Sequence, residues 1–431
     1  MTINCVPYVP GCAKGKLLQN WRSAHSLMGQ IIVIQRYSLG DILSLSSSKP
    51  EGIIVVGNER FSHLLIYLFS LTIPTVLIDY EPEILESSFI LIDGTQGQIE
   101  ICENNEPPKE WDIRCQRIQK ASEVGEYALP QALTTIDGIT INLGASVSSV
   151  EGVVLARNNK AIEISLVRSE FLWTGTGIPR RKYLFKEIEK ICQAAFPLNV
   201  TIRLFDVGGD KAFDWVEGNA DIMASLGLRG CRSYQDPVIY KVIKEEVEAV
   251  AELASRYNLG LLIPYVTTIN EFKLLQNKIQ TISENPLSIG AVLETPAACM
   301  DIDSFLNLTE NVYLGTNDIL ECFFGANRTL KSVAQYLNPY SPDLFRFLSY
   351  TAALAAKRLD RVGICGQLPL FPHVIKILIG LGYRRFSVEP SMIPFLEATI
   401  AKQSFQDLQD RARKAITCSD AEELFNFYQM V

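Results

Sequence analysis

Ile289-Gly290-Ala291-Val292-Leu293-Glu294-Thr295 and Val312-Tyr313-Leu314-Gly315-Thr316-Asn317-Asp318 are the stretches that decide the fold of this chain. Each is a short apolar β run that stops abruptly at oxygen-bearing polar residues, the pattern of a buried parallel strand whose carboxyl end opens on a site. Working outward, similar runs alternate with helical segments at Ile139 to Leu143, Ile164 to Val167, Thr201 to Phe205, Leu261 to Val266, Val362 to Ile364 and Phe386 to Val388, which makes eight strands. One intervening helix is well marked. Asp236 can cap it, Pro237 suits its first turn, and Val238, Ile239, Val242, Ile243, Val247 and Val250 form an apolar stripe. Eight strand and helix alternations in about 300 residues predict an α/β fold of the (β/α)8 type, with a doubly wound sheet as the alternative.

Toward the N-terminus, β runs at Gln30 to Gln35, Gly52 to Val56, Thr75 to Ile78 and Phe89 to Ile92, with an apolar helix from Ser62 to Leu71, read as a small α/β unit. The polar, proline-containing stretch Glu103 to Glu110 marks its end. The expected organisation is therefore a small domain over 1–103, a helical linker over 104–128 and the barrel over 129–431.

The chain has 431 residues, 48% hydrophobic and 20% charged, and its 40 basic against 48 acidic side chains give a net charge of −8. Such a surface lacks the basic field that nucleic acid or anionic lipid requires, so neither is expected as a partner. The start, Met1-Thr2-Ile3-Asn4-Cys5, has neither the basic nor the apolar part of a secretory signal, and the longest apolar run, Leu64 to Ile78, falls short of the roughly 20 residues that span a bilayer. A cytoplasmic location with no membrane partner is expected. Ten cysteines without any CxxC pair read as buried thiols of a reducing compartment, and the three histidines are His25, His63 and His373.

In a barrel, polar residues just beyond the strands mark the active face. They include Arg168-Ser169-Glu170 after the second strand, Arg203 and Asp206 at the third, Glu294-Thr295 at the fifth, Thr316-Asn317-Asp318 at the sixth and Cys365-Gly366 at the seventh. Arginine's planar fork matches carboxylate and phosphate oxygens, so Arg168 and Arg203, joined by Arg229, Arg232 and Arg328 from loops, point to a small, multiply charged anion. Taken singly, each is more often a surface arginine. Glu294 and Asp318, hard oxygen ligands on adjacent strands, suit one Mg²⁺ completed by water and substrate oxygens. The turn Gly208-Gly209-Asp210-Lys211 lets backbone N–H groups approach an oxyanion. Cys365, taken without its neighbours, reads as a core thiol, the commoner fate of cysteine.

The phrases Leu166 to Leu172, Ile202-Arg203 through Asp206 to Lys211, Leu293 to Ala298, Leu314 to Asp318 and Gly363 to Gly366 resemble the phosphoenolpyruvate (PEP)-binding barrel of the PEP-utilising enzymes, which include PEP synthase and pyruvate phosphate dikinase. Among these the chain is most similar to enzyme I of the sugar phosphotransferase system. Val9 to Gly15 and Phe61-Ser62-His63 are similar to that family's swivelling phosphohistidine domain. The resemblance implies a Mg²⁺-dependent phosphotransferase drawing its phosphoryl group from PEP. Carried over, Arg168, Arg203, Arg229 and Arg328 clamp the anion, Asn317 bonds phosphate, Glu294 and Asp318 hold Mg²⁺, His63 takes the phosphoryl group, and Cys365 protonates the enolate to pyruvate. It also implies a homodimer.

The departures bear on the acceptor. The family's phosphohistidine motif has Gly-Gly, a threonine two before the histidine and an Ala-Arg pair soon after. Here Asn58-Glu59, Phe61 and Leu68-Phe69 stand there, while Gln367 replaces the glutamate after the Cys-Gly pair and Leu370-Phe371 its Gly-Asp. The interval from Gly15 to Gly52 is too short for the helical insertion with which enzyme I docks its carrier. The acceptor, a protein or a small molecule, stays open. So do two other readings, a lyase or hydrolytic enzyme that does not use His63 and a non-catalytic PEP sensor.

Overall fold

In the computed structural model the described residues are 2–9, 11–24, 26–35, 45, 48–56, 73–78, 88–94, 97–102, 107–108, 111, 133–173, 177–208, 213, 215–216, 220–224, 226–283, 286–328, 330 and 332–429. They fall into two compact units, one of 1–128 with 328–335, the other of 129–327 with 336–431. No helix among the described residues is long and apolar enough to cross a membrane.

The first unit is built on one mixed sheet. Its strands are β1 (Thr2–Asn4), β2 (Val6–Val9), β3 (Cys12–Leu18), β4 (Gln30–Ile34), β5 (Gly52–Val56), β6 (Thr75–Ile78), β7 (Phe89–Asp93) and β8 (Gln98–Cys102), in the order β1-β8-β7-β3-β4-β5-β6-β2. β3 to β6 run parallel, and β7 lies antiparallel to β3. Because successive side chains alternate across a strand, Ile32 and Ile34 pack on one face with Trp21, Ile53 and Val55, while Ile31 and Val33 pack on the other with Leu17, Ile54 and Ile92. The helix expected over Ser62 to Leu71 lies outside the described residues, as does His63.

The second unit is a closed (β/α)8 barrel. Its parallel strands are β10 (Thr140–Val147), β11 (Ile164–Arg168), β12 (Val200–Arg203), β13 (Leu259–Val266), β14 (Ser288–Leu293), β15 (Val312–Gly315), β16 (Val362–Cys365) and β17 (Arg385–Val388). Each pairs with the next, and β10 pairs with both β17 and β11, which shuts the ring. A short β9 (Leu133–Thr134) adds antiparallel to the start of β10. All eight expected strands are present and the doubly wound alternative is excluded.

The marked helix runs over Pro237–Ala254, with Asp236 accepting from the Val238 and Ile239 amides. Its stripe differs from expectation at two places. Val238 is exposed, and the buried face includes Glu246. At the amino end of the barrel, the half-buried Glu163 and Arg385 cluster with the buried Tyr313, with Arg385 Nη2 3.1 Å from the Tyr313 hydroxyl. The arginines and carboxylates expected at the strand ends lie at the other end.

Candidate active site

Three arginines, Arg168 and Arg203 at strand ends and Arg229 just before the turn Gly230–Gln235, are each paired with carboxylates. Arg168, the last residue of β11, donates to Glu389, which follows β17 directly. Arg203, the last residue of β12, donates to Glu170 and lies 3.3 Å from Asp206 Oδ2. Arg229 Nη2 is 2.6 Å from Asp318 Oδ1 and its Nη1 is 3.7 Å from Glu321 Oε2, while its guanidinium stacks 4.8 Å from the centre of the Tyr265 ring. All eight partners of these ion pairs are buried. Burial opposes both the Arg203 and Arg229 charges, but Glu170 and Asp206 around the first, and Asp318 and Asp206 around the second, outweigh it. Both are therefore held more firmly protonated than a free arginine.

Tyr265 is the pivot of this layer. It sits at the bulge of β13 with φ of 56°, a left-handed conformation that a bulky side chain rarely adopts. The twist turns its backbone N–H onto Glu294 Oε2 at 2.7 Å. Gly230 makes room, since a Cβ there would stand 2.2 Å from Tyr265 Cβ. Glu294 follows β14 and is buried against Gly315, the last residue of β15. Burial first, then the charges of Asp318 and Asp206, push the Glu294 carboxyl up to about 8 against the pull of Arg203 and Arg229. Glu294, Asp318 and Asp206 thus crowd one region, with the Arg203 and Arg229 guanidinium groups among them.

β15 runs straight into the helix Thr316–Phe324, which puts Asn317, Asp318 and Glu321 in its first two turns. The Thr316 hydroxyl donates to the Cys365 carbonyl at 2.7 Å, and Asn317 Oδ1 accepts from the Gln367 amide at 2.9 Å. Gly366 between them has φ of +96°, and a Cβ there would crowd Thr316 Oγ1 at 2.6 Å. Cys365 packs with Leu166, Leu262, Val292 and Tyr313 in the barrel interior, directly beneath the charged layer. Burial, followed by the charge of Glu294, pushes its thiol up to about 12 despite Arg203 and Arg168, so it carries its proton at neutral pH.

Arg168, Arg203, Arg229, Glu294, Asn317, Asp318 and Cys365 thus converge on one mouth. Arg328 is buried as well, and its segment is grouped with the first unit. His63 and the turn residues Gly209 to Lys211 lie outside the described residues, and Arg232 pairs with Glu271, 3.3 Å away, farther out. Sequence reasoning passed over Glu389, Tyr265, Glu321 and Glu246. Glu389 was within reach of the strand-end rule, since it stands immediately after the eighth strand.

Comparison with known proteins agrees with this geometry. The family described as PEP-utilising enzyme, PEP-binding domain, matches residues 123–405. The phosphoenolpyruvate-protein phosphotransferase of Geobacillus stearothermophilus is 25% identical over 413 residues, covering 92% of this chain and 71% of that protein. That of Mycoplasma pneumoniae is 26% identical over 402 residues, 91% and 70% of the two chains, and that of Bacillus subtilis 25% over 415 residues, 92% and 72%. A family match spanning nearly all of the barrel unit, on a chain that folds as that barrel, makes this protein a member of the PEP-utilising enzymes.

Proposed function

We propose that this protein is a Mg²⁺-dependent phosphotransferase that takes its phosphoryl group from PEP. The observation that carries the reading is the convergence of Arg168, Arg203 and Arg229 with the crowded pair Glu294 and Asp318 and a protonated Cys365. Three guanidinium groups match the carboxylate and phosphate of PEP. The elevated Glu294 carboxyl fits a divalent cation, and two carboxylates plus substrate oxygens are the usual Mg²⁺ set. When bound, Mg²⁺ supplies positive charge to the phosphoryl oxygens as they gain charge in transfer.

The chain's own residues do the rest. Asp318, as one of the residues that would hold the cation, would give up its pair with Arg229, leaving that guanidinium to face the substrate. Glu389 and Glu170 hand Arg168 and Arg203 to the incoming anion in the same way, each exchanging one oxygen pair for another. The Asn317 amide N–H₂ group donates to a phosphoryl oxygen. As the bond from phosphorus to the enol oxygen breaks, a bond to the acceptor forms. The Cys365 thiol then gives its proton to C3 of the enolate, leaving pyruvate and a thiolate that solvent reprotonates. For the acceptor we propose His63, whose imidazole nitrogen forms the P–N bond.

Titration calorimetry tests the binding half of this account. PEP should give a saturable heat only with Mg²⁺ present, and Asp318→Ala should abolish it. Wild-type protein that binds no PEP with Mg²⁺ refutes the reading. Acid-labile phosphate that persists in His63→Ala refutes the acceptor alone.

A further inference from the structure

Glu246 takes no part in the steps above, yet it is a fully buried carboxyl group on the inner face of the helix Pro237–Ala254, among Val242, Ile243, Val247 and Val250. A buried carboxyl in such a row costs stability unless it satisfies other polar groups. Here it meets two. Its Oε2 accepts the Phe205 amide at 3.0 Å, whereas its Oε1 is buried with no hydrogen-bond partner in good geometry, and the Ser169 hydroxyl is the neighbour near enough to act on its charge. Ser169 in turn donates to the Arg203 carbonyl at 2.8 Å. Phe205 lies between Arg203 and Asp206, and Ser169 between Arg168 and Glu170. The carboxyl therefore holds the segment of Arg203 directly, and that segment is tied to the segment of Arg168 through Ser169. The Phe205 peptide is held on its other side as well, because the Tyr234 hydroxyl donates to its carbonyl at 3.1 Å.

We propose that Glu246 is a positioning residue that, through the Phe205 amide and the Ser169 hydroxyl, holds Arg168 and Arg203 at the spacing that binds the substrate anion. The inference rests on the arginine clamp described above. Charged and titratable groups face Glu246 from each packed element: Glu170 from the turn after β11, Arg203 from β12, and Tyr234 from the segment Gly230–Gln235. Burial, opposed by the hydrogen bonds from Ser169 and Phe205, pushes the carboxyl up to about 8. Protonated, it offers one oxygen to Phe205 and one O–H to Ser169, which keeps its own hydrogen for the Arg203 carbonyl. Ionised, it draws that hydrogen to itself and releases the carbonyl. PEP affinity should therefore fall as pH rises through about 8.

The test compares the full chain with Glu246→Gln and Glu246→Leu. Glutamine retains an acceptor for Phe205 and a donor for Ser169 without the charge. Its affinity for PEP with Mg²⁺ at pH 7 should stay within about threefold of wild type, and the loss between pH 7 and 9 should disappear, as expected when a neutral hydrogen-bonding group is kept. Glu294 works in the opposite direction, its ionised form attracting the cation, so the two proteins are compared at each pH. Glu246→Leu should weaken PEP about tenfold or more, raising KM while kcat changes little, the signature of lost binding without lost chemistry. A folded Leu variant that binds like wild type, or a Gln variant with the wild-type pH dependence, overturns the proposal. Should Leu not fold, the Gln comparison decides. If wild type binds no PEP, the clamp reading fails on its own, and exchange of the Phe205 amide decides for Glu246. That amide should be protected in wild type and Gln, and equal protection in Leu overturns the role.

Discussion

Gly315→Ala is the substitution whose effect follows most directly from the coordinates. The residue ends β15 with φ of −85°, a conformation alanine adopts freely, so any effect is steric. The added Cβ would stand 2.4 Å from Glu294 Cγ, 2.7 Å from its Oε1 and 3.0 Å from its Cδ. Carbon pairs prefer about 3.5–4 Å, so the carboxylate or the strand must move by roughly 1 Å. Glu294 has nowhere easy to go. It is buried, and leaving Tyr265 would strand a buried N–H, which costs about 1–3 kcal/mol, on the order of the overpacking itself. The expected outcome is a folded protein, less stable by about 1–3 kcal/mol, whose Mg²⁺-dependent affinity for PEP drops about 10- to 100-fold, the usual effect of disturbing a metal ligand's support. Calorimetry measures the affinity and thermal melting the stability. Gly260→Ala is the control, since a Cβ there comes no nearer than 3.4 Å, to Ser288 O. A folded Gly315→Ala protein that binds PEP and Mg²⁺ like wild type would show that Glu294 does not hold the cation.

Other perturbations separate the roles. Cys365→Ala should cost about 1 kcal/mol through a small cavity and leave PEP affinity intact, while slowing pyruvate formation about 10²- to 10⁴-fold; turnover at the wild-type rate makes it a core thiol only. Arg229→Lys keeps the charge but loses the fork that reaches both Asp318 and Glu321, and should weaken PEP about tenfold or more; unchanged binding removes Arg229 from the clamp. Glu246 binds more protons in the folded chain than in the unfolded one between its ordinary value near 4.5 and about 8. Its contribution to stability is therefore complete below pH 4.5 and is lost as pH rises through that window. Glu246→Gln should flatten that part of the stability profile in denaturant titrations, and a profile as steep as wild type argues against the elevated carboxyl.

Much of the barrel was legible because its strands are short apolar runs closed by charged residues, as Leu293-Glu294 and Gly315 to Asp318 illustrate. The first unit was harder. In Cys12–Leu18 the buried Ala13, Gly15 and Leu17 alternate with the exposed Lys14 and Lys16, but a glycine in the row and so few large apolar residues hide the strand. Glu246 stands three residues after Ile243 and four after Val242, on the apolar stripe itself; a charged residue at a core position was the available signal. Tyr265 gave none, because a left-handed conformation at a bulge depends on how neighbouring strands pair.

Incubating the purified chain with ³²P-labelled PEP, with and without Mg²⁺, and following pyruvate and protein-bound phosphate together tests the central claim most directly. The account predicts Mg²⁺-dependent pyruvate, acid-labile phosphate on the protein, and loss of both in Asp318→Ala. Pyruvate with free phosphate and none on the protein would point to hydrolytic chemistry without His63, and binding without pyruvate to a sensor. Neither pyruvate nor PEP binding would contradict the account altogether.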